Sequence, residues 1–160
     1  MRRHQIFVLA AISAVMFTLA GCGSDSTGPK VPDVSGTWTL SLTNMSGGGI
    51  SCSSASGTTM MLSQSGTTFS GTYSGGTLIC SGGGSSVTGD VGTGVIINGA
   101  VNGDTVSFQI DGPDLPATGT ISGDSMSGTA TLSYNVVDPF GRPYVVVLVG
   151  SWGAVKRSRG

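Results

Sequence analysis

The sequence predicts an all-β protein, an antiparallel up-and-down meander of about eight to nine strands that closes into a small barrel. Apolar and polar residues alternate along several segments, turn-forming residues separate these segments, and no helical period follows the N-terminal apolar run. Period-two alternation places one face of a strand in a core and the other in water. The 28 glycines among 160 residues suit the turns and bends of a curved sheet.

Two segments show the alternation most clearly, TWTLSL at 37–42 and TVSFQI at 105–110. A meander of this number of strands closes well into a barrel, and closure removes the exposed sheet edges. The predicted strands cover 35–43, 57–64, 67–75, 85–91, 94–101, 104–111, 117–122, 125–133 and 144–156.

Three two-residue hairpin loops are predicted, at Ser65-Gly66, Asn102-Gly103 and Ser122-Gly123. Such pairs favour tight turns, and the resulting registers bring apolar or glycine positions together on one face. The expected pairs are Leu62–Phe69, Met60–Gly71, Gly99–Val106, Ile97–Phe108, Val95–Ile110 and Gly119–Met126.

Cys52 and Cys80 are predicted to form a disulfide. Extending the register of the first hairpin brings position 52 opposite 79, one residue from Cys80, and the intervening Ser- and Gly-rich segments allow a bulge. The export signal described next implies an oxidising compartment, in which these two cysteines favour a bridge over a redox or metal role.

The N-terminus has the pattern of an export signal. Arg2 and Arg3 precede an apolar run over 6–20, which is too short to span a bilayer comfortably. The run ends in Leu19-Ala20-Gly21-Cys22, which resembles the lipobox of bacterial lipoproteins. The resemblance implies a diacylglycerol thioether on Cys22 and an acyl chain such as palmitate on its new N-terminus. An ordinary signal peptide with a chance cysteine is the alternative.

These segments divide the chain into a signal peptide (1–21), a flexible tether (22–33) and a single barrel domain (34–160). In lipoproteins of double-membraned bacteria, Asp after the cysteine favours the inner membrane. The residue here is Gly23, so we expect an outer-membrane anchor, with the barrel facing either the periplasm or the exterior.

Composition argues against several functions. The single histidine, His4, lies in the predicted signal, and glutamate is absent, so an imidazole relay or metal site is not expected. The sequence lacks the cluster of basic residues that is typical of nucleic-acid-binding proteins. Asp111 and Asp114 flank a Gly-Pro pair, which favours a turn over a calcium loop. We therefore expect no enzyme, no cofactor and no metal.

Gly36-Thr37-Trp38 at the start and Lys156-Arg157 at the end resemble the lipocalin/calycin pattern, in which the tryptophan of a G-x-W motif packs under a terminal basic residue. The resemblance implies that Trp38 caps one barrel end against Lys156 or Arg157. The loop motif and C-terminal helix of lipocalins are missing. Alternatively, Trp38 simply plugs one end of a small barrel.

The sequence predicts three functions in order of preference. The first is a structural or interaction module that contacts an envelope protein or polysaccharide through loops 44–56, 76–86 and 134–143. The second is a barrel that holds a small apolar ligand in an interior lined by Trp38, Phe69 and Phe108. The third is a protease inhibitor, since small bacterial secreted metalloprotease inhibitors are similar barrels with an early G-x-W and one disulfide. The interior void distinguishes the first two.

Overall fold

The computed structural model describes residues 30–111, 115–137 and 141–158. These residues form eleven strands joined in one antiparallel sheet. The same ranges contain no helix long and apolar enough to cross a membrane. The predicted signal peptide 1–21 and the predicted lipidation site Cys22 lie outside the described residues.

The strands are β1 (Gly36–Gly47), β2 (Ile50–Ser56), β3 (Thr58–Ser65), β4 (Thr68–Ser74), β5 (Thr77–Gly82), β6 (Ser85–Asp90), β7 (Thr93–Asn102), β8 (Thr105–Ile110), β9 (Leu115–Ser122), β10 (Ser125–Val137) and β11 (Pro143–Lys156).

Eight of these strands form a closed barrel in the order β1-β3-β4-β7-β8-β9-β10-β11, and β11 pairs back with β1. At the closing seam Trp38 lies opposite Lys156, and Leu42 lies opposite Trp152. Each barrel strand pairs with the next barrel strand along the chain, which confirms the predicted up-and-down barrel, but the predicted strand 85–91 lies outside it. The eight-stranded barrel is compatible with a lipocalin-like fold.

Strands β2, β5 and β6 extend the sheet beyond one end of the barrel. β1 pairs with β2, β2 with β5, and β5 with β6. The prediction of loops over 44–56 and 76–86 was therefore wrong, and the ends of 134–143 also belong to β10 and β11. The segments ISCSSAS and TLICSG lack the apolar alternation of a core strand. Pairing with neighbouring strands makes them extended, and each contributes one buried core side chain, Cys52 and Leu78.

Three two-residue turns lie together at the other end of the barrel, here called the closed end. Gly66, Gly103 and Gly123 take the first loop position, with φ of 61°, 57° and 57°. A glycine at the first position with positive φ fits a type II′ turn, which matches the twist of a hairpin. Each turn starts one residue later than predicted, because glycine takes the first loop position and not the second.

The later turns change the predicted registers. Leu62 lies opposite Gly71, not Phe69. Because each pairing moves by two residues, the same side chains still point inward. The observed pairs that replace the other predictions include Met60–Tyr73, Val101–Val106 and Ile121–Met126.

The predicted inward positions of Val95 and Ile97 were wrong, because β7 is irregular near Asn98. Asn98 has a φ of 54°, and the register with β8 shifts between Ile97 and Ala100. An extra residue in one strand reverses the alternation beyond it. Ile96 is consequently buried, while Val95 is 42% exposed.

Aromatic rings in the barrel interior pack on glycines of adjacent strands. Phe69 lies opposite Gly99, where an added Cβ would come within 2.6 Å of the phenyl ring. Tyr73 lies opposite Gly94, where an added Cβ would come within 2.7 Å of the phenol ring. Only glycine leaves the space that these rings occupy.

Trp152 packs in the same way on two glycines that face each other. Its partner on β10 is Gly128, which in turn pairs with Gly119 on β9. The indole Nε1 donates to the carbonyl oxygens of Thr118 and Thr129, each at 3.1 Å. These two bonds hold the ring over the glycine pair and satisfy the only polar atom of the indole.

We expect Gly119→Ala to lower the free energy of unfolding by about 1–3 kcal/mol, the usual cost of overpacking a core. The new Cβ would overlap the backbone oxygen of Ser127 and lie 2.8 Å from the Trp152 ring. Gly89→Ala is the matched control, since an added Cβ there has no neighbour within 4 Å. Urea unfolding of both variants checks the prediction, and equal midpoints would contradict it.

Candidate ligand-binding cavity

A cavity of about 450 Å³ opens at the end of the barrel opposite the closed end, and it is called the mouth cavity below. Strands from both sides of the barrel and from the extension contribute to it. Its lining includes Leu40, Leu42, Thr58, Leu78, Asp90, Val91, Ile110, Leu115, Leu132, Ser133 and Asn135.

The inner part of the cavity is aliphatic. Leu40 and Leu42 come from β1, Ile110 ends β8, and Leu115 begins β9. These four side chains are at most 7% exposed, so the strands that build the barrel hold them in place. The surface they form is suited to an apolar group, and the buried Thr58, opposite Leu40 on β3, is the polar residue beside it.

One wall of the cavity is the three-stranded extension of β2, β5 and β6, which contributes Leu78, Asp90 and Val91 together with the link to β7. Cys52 on β2 lies directly opposite Cys80 on β5, and the two form a disulfide. The predicted bridge is thus confirmed. A one-residue register shift does occur, between Ser54 and Ser56, but because the hairpin register is two residues from the predicted one, it runs in the opposite sense.

The facing wall is the part of the β10–β11 hairpin that rises above β9. β9 pairs with β10 only as far as Ala130, whereas β10 and β11 remain paired to Val137 and Pro143. Leu132, Ser133 and Asn135 line the cavity from this wall. The cavity therefore lies between two projections of the sheet.

Tyr73 and Asp111 join two strands near the mouth. The Tyr73 hydroxyl donates to the backbone oxygen of Asp111 at 3.1 Å. Burial raises the pKa of the Tyr73 phenol, and the nearby Asp111 carboxylate raises it further. The phenol therefore stays protonated at neutral pH and keeps its role as a donor.

The closed end is covered by the segment before β1. Trp38 is 1% exposed and its indole Nε1 donates to the backbone oxygen of Val34 at 2.8 Å. The Lys156 ammonium lies 5.5 Å from the centroid of the Trp38 ring and donates to the backbone oxygen of Asp33. The structure thus brings together Trp38 and Lys156.

Arg157 does not take part in this contact. Its guanidinium donates to the hydroxyl groups of Thr39 and Thr59, at 2.9 and 3.3 Å. Hydrogen bonds from the Ser35 side chain and backbone lower the pKa of Asp33, with smaller contributions from Lys156 and Lys30. Through these hydrogen bonds, Arg157 holds the strand ends in place, and Lys156 holds the covering segment.

None of the three aromatic residues predicted to line a ligand site borders the mouth cavity. Trp38 lies at the closed end, and Phe69 and Phe108 pack in the middle of the barrel with ring centroids 6.2 Å apart. Phe108 also contacts Trp152 edge to face, at 5.1 Å. The space left around Phe69 and Phe108 has no room for a water molecule. The Phe69 ring has room because Gly99 lies opposite it, and Phe108 lies opposite the small side chain of Ala117.

Sequence reasoning missed most residues of the cavity. Leu40, Leu42 and Ile110 were expected to point inward from their alternation. No pattern in the sequence indicated that Leu78 or Asp90 would join them, since both belong to the extension.

The part of the chain that the structure describes holds no group of three or more His, Cys, Asp or Glu residues suited to a metal ion. Comparisons with protein-family models, curated proteins and solved structures found no match for this chain.

Reduction of the disulfide should lower the free energy of unfolding by about 3–4 kcal/mol, the chain-entropy value for a loop of this size. The bridge joins residues 28 positions apart. Urea unfolding with and without a thiol reductant checks this, with thiol counting to verify reduction. The double variant Cys52→Ala/Cys80→Ala should be insensitive to the reductant. Unchanged midpoints for the fully reduced native chain would overturn the expectation.

Proposed function

We propose that this protein is a lipid-anchored envelope barrel that binds one small, mainly apolar molecule in the mouth cavity. The observation that carries the proposal is the cavity itself. Its volume of about 450 Å³ lies in the range of small-molecule sites, which are mostly apolar and carry a few polar groups. Aliphatic side chains predominate here, and Thr58, Asp90, Ser133 and Asn135 supply the polar groups.

The filled middle of the barrel makes this a shallow site with one entrance. Phe69, Phe108 and Trp152 occupy the space below it, so a ligand enters from the open end and stays there. The disulfide fixes two strands of one wall before a ligand arrives. A preformed site loses less conformational entropy on binding than one that must be assembled.

The proposed anchor is compatible with access to this entrance. The described chain reaches the barrel at Val34, on the closed end. Since Pro32 and Asp33 accept hydrogen bonds from the barrel, the free tether from Cys22 to Val31 spans at most about 35 Å when extended. Lipidation of Cys22 would therefore place the closed end nearer the membrane and leave the mouth cavity open to the envelope space. Gly23 after the cysteine supports an outer-membrane location.

An interaction module is the second candidate, because the outer face of β11 carries a row of exposed valines. Val145, Val147 and Val149 are 58%, 46% and 54% exposed. Exposed apolar side chains in a row are typical of contact surfaces. Because these valines do not line the cavity, the cavity variants below leave this surface intact.

Val91→Trp should weaken binding of the neutral apolar fluorophore N-phenyl-1-naphthylamine at least tenfold, because the larger side chain fills the cavity. Val91 is a partly buried lining residue. Val87→Trp is the matched control, since Val87 lies on the same wall, is 67% exposed and does not line the cavity. Fluorescence titration measures both. Absence of binding by the native chain, or equal loss in both variants, would contradict the proposed site.

Cys22→Ser should move the exported protein from the detergent phase to the aqueous phase in a phase-partition assay. Without the thiol, no diacylglycerol can be attached, and firm anchoring needs more than one acyl chain. Ser24→Ala serves as the control and should remain in the detergent phase. Identical partitioning of the Cys22 variant and the native chain would refute the anchor without affecting the cavity.

A further inference from the structure

We propose that the mouth cavity selects a cationic amphiphile, with an apolar body and an amine or quaternary ammonium head, and that Asp90 determines this selection. The inference rests on the proposed function and specifies its ligand class. It follows from the placement of charge around a cavity whose inner surface is aliphatic.

Asp90 is the charged residue among the described lining of the cavity. It ends β6, lies opposite Thr77 of β5, and is exposed at the entrance. Ser133 and Asn135 line the facing wall. A ligand whose body packs on the leucines of the inner part would therefore have its head between a carboxylate on one wall and neutral hydrogen-bonding groups on the other.

The described lining includes no basic residue that could pair with an anionic head. Lys156 and Arg157 lie at the closed end, and Arg142, in the link between β10 and β11, does not line the cavity. Asp111, which directly follows the lining residue Ile110, adds a second carboxylate at the open end. A fatty acid would bring a further negative charge to this entrance, and the described lining holds no basic residue to pair with it.

Electrostatics of this kind acts on specificity by penalising the wrong partner as well as attracting the right one. Opposite unit charges about 4 Å apart near a protein surface attract strongly enough to change affinity about tenfold or more. The aliphatic inner surface treats ligands of equal chain length alike, so differences among them report the head group.

The test compares decylamine, decanol and decanoate, which share one chain length and differ in charge at neutral pH. Each displaces N-phenyl-1-naphthylamine from the purified full chain, at concentrations below those of micelle formation. We expect decylamine to bind about tenfold more tightly than decanoate, with decanol between them. Asp90→Asn should reduce this ratio severalfold, although the Asp111 carboxylate remains at the open end. Asp104→Asn, which removes a carboxylate from a closed-end turn, should leave the ratio unchanged.

Each outcome separates the inference from the proposed function. Equal affinities of the native chain for the three ligands overturn the charge selection and leave the apolar cavity as the binding site. A preference for decylamine that Asp90→Asn does not reduce overturns the assignment to Asp90. Failure of the fluorophore and all three ligands to bind overturns the proposed function and this inference together.

Discussion

The packing of large aromatic rings against inward-facing glycines is the constraint on which the rest of this structure depends. An eight-stranded barrel has just enough interior for its own side chains or for one small ligand. Phe69, Tyr73 and Trp152 fit only because glycines of adjacent strands make room for them. The same arrangement fills the middle of the barrel and leaves the open end to smaller aliphatic side chains, so the cavity forms there.

The walls of the cavity are held by a different kind of interaction. The extension is rich in Ser and Gly, and every residue of β6 is exposed. Backbone pairing, the Cys52–Cys80 bridge and the burial of Cys52 and Leu78 hold it in place. The facing wall is a two-stranded hairpin above Ala130, stabilised by its own pairing and by buried residues such as Leu132 and Leu148. One wall is thus cross-linked covalently and the other is packed.

The barrel could be predicted from the sequence, whereas most of the cavity could not. Alternation along TWTLSL and TVSFQI predicted which side chains are buried, and the burial of these side chains stabilises the closed barrel. The turn registers were two residues off and still gave the correct faces, because sheet faces repeat every second residue. The irregularity at Asn98 shifts the alternation of β7 by one residue, so the predicted facing of Val95 and Ile97 was wrong. β2 and β5 show no clear alternation of apolar residues. The wall that carries Leu78 and Asp90 forms through pairing between strands distant in the sequence, which the sequence pattern does not show.

The two ends of the barrel also differ in what their charges do. At the closed end, Lys156 lies over the Trp38 ring and binds the backbone of Asp33, while Arg157 binds two threonine hydroxyls. These cations are engaged in holding the covering segment and the strand ends. At the open end, Asp90 lies beside an aliphatic surface that offers it no compensating charge. Lys156 and Arg157 thus stabilise the closed end, whereas Asp90 lies at the open end, where a ligand would enter.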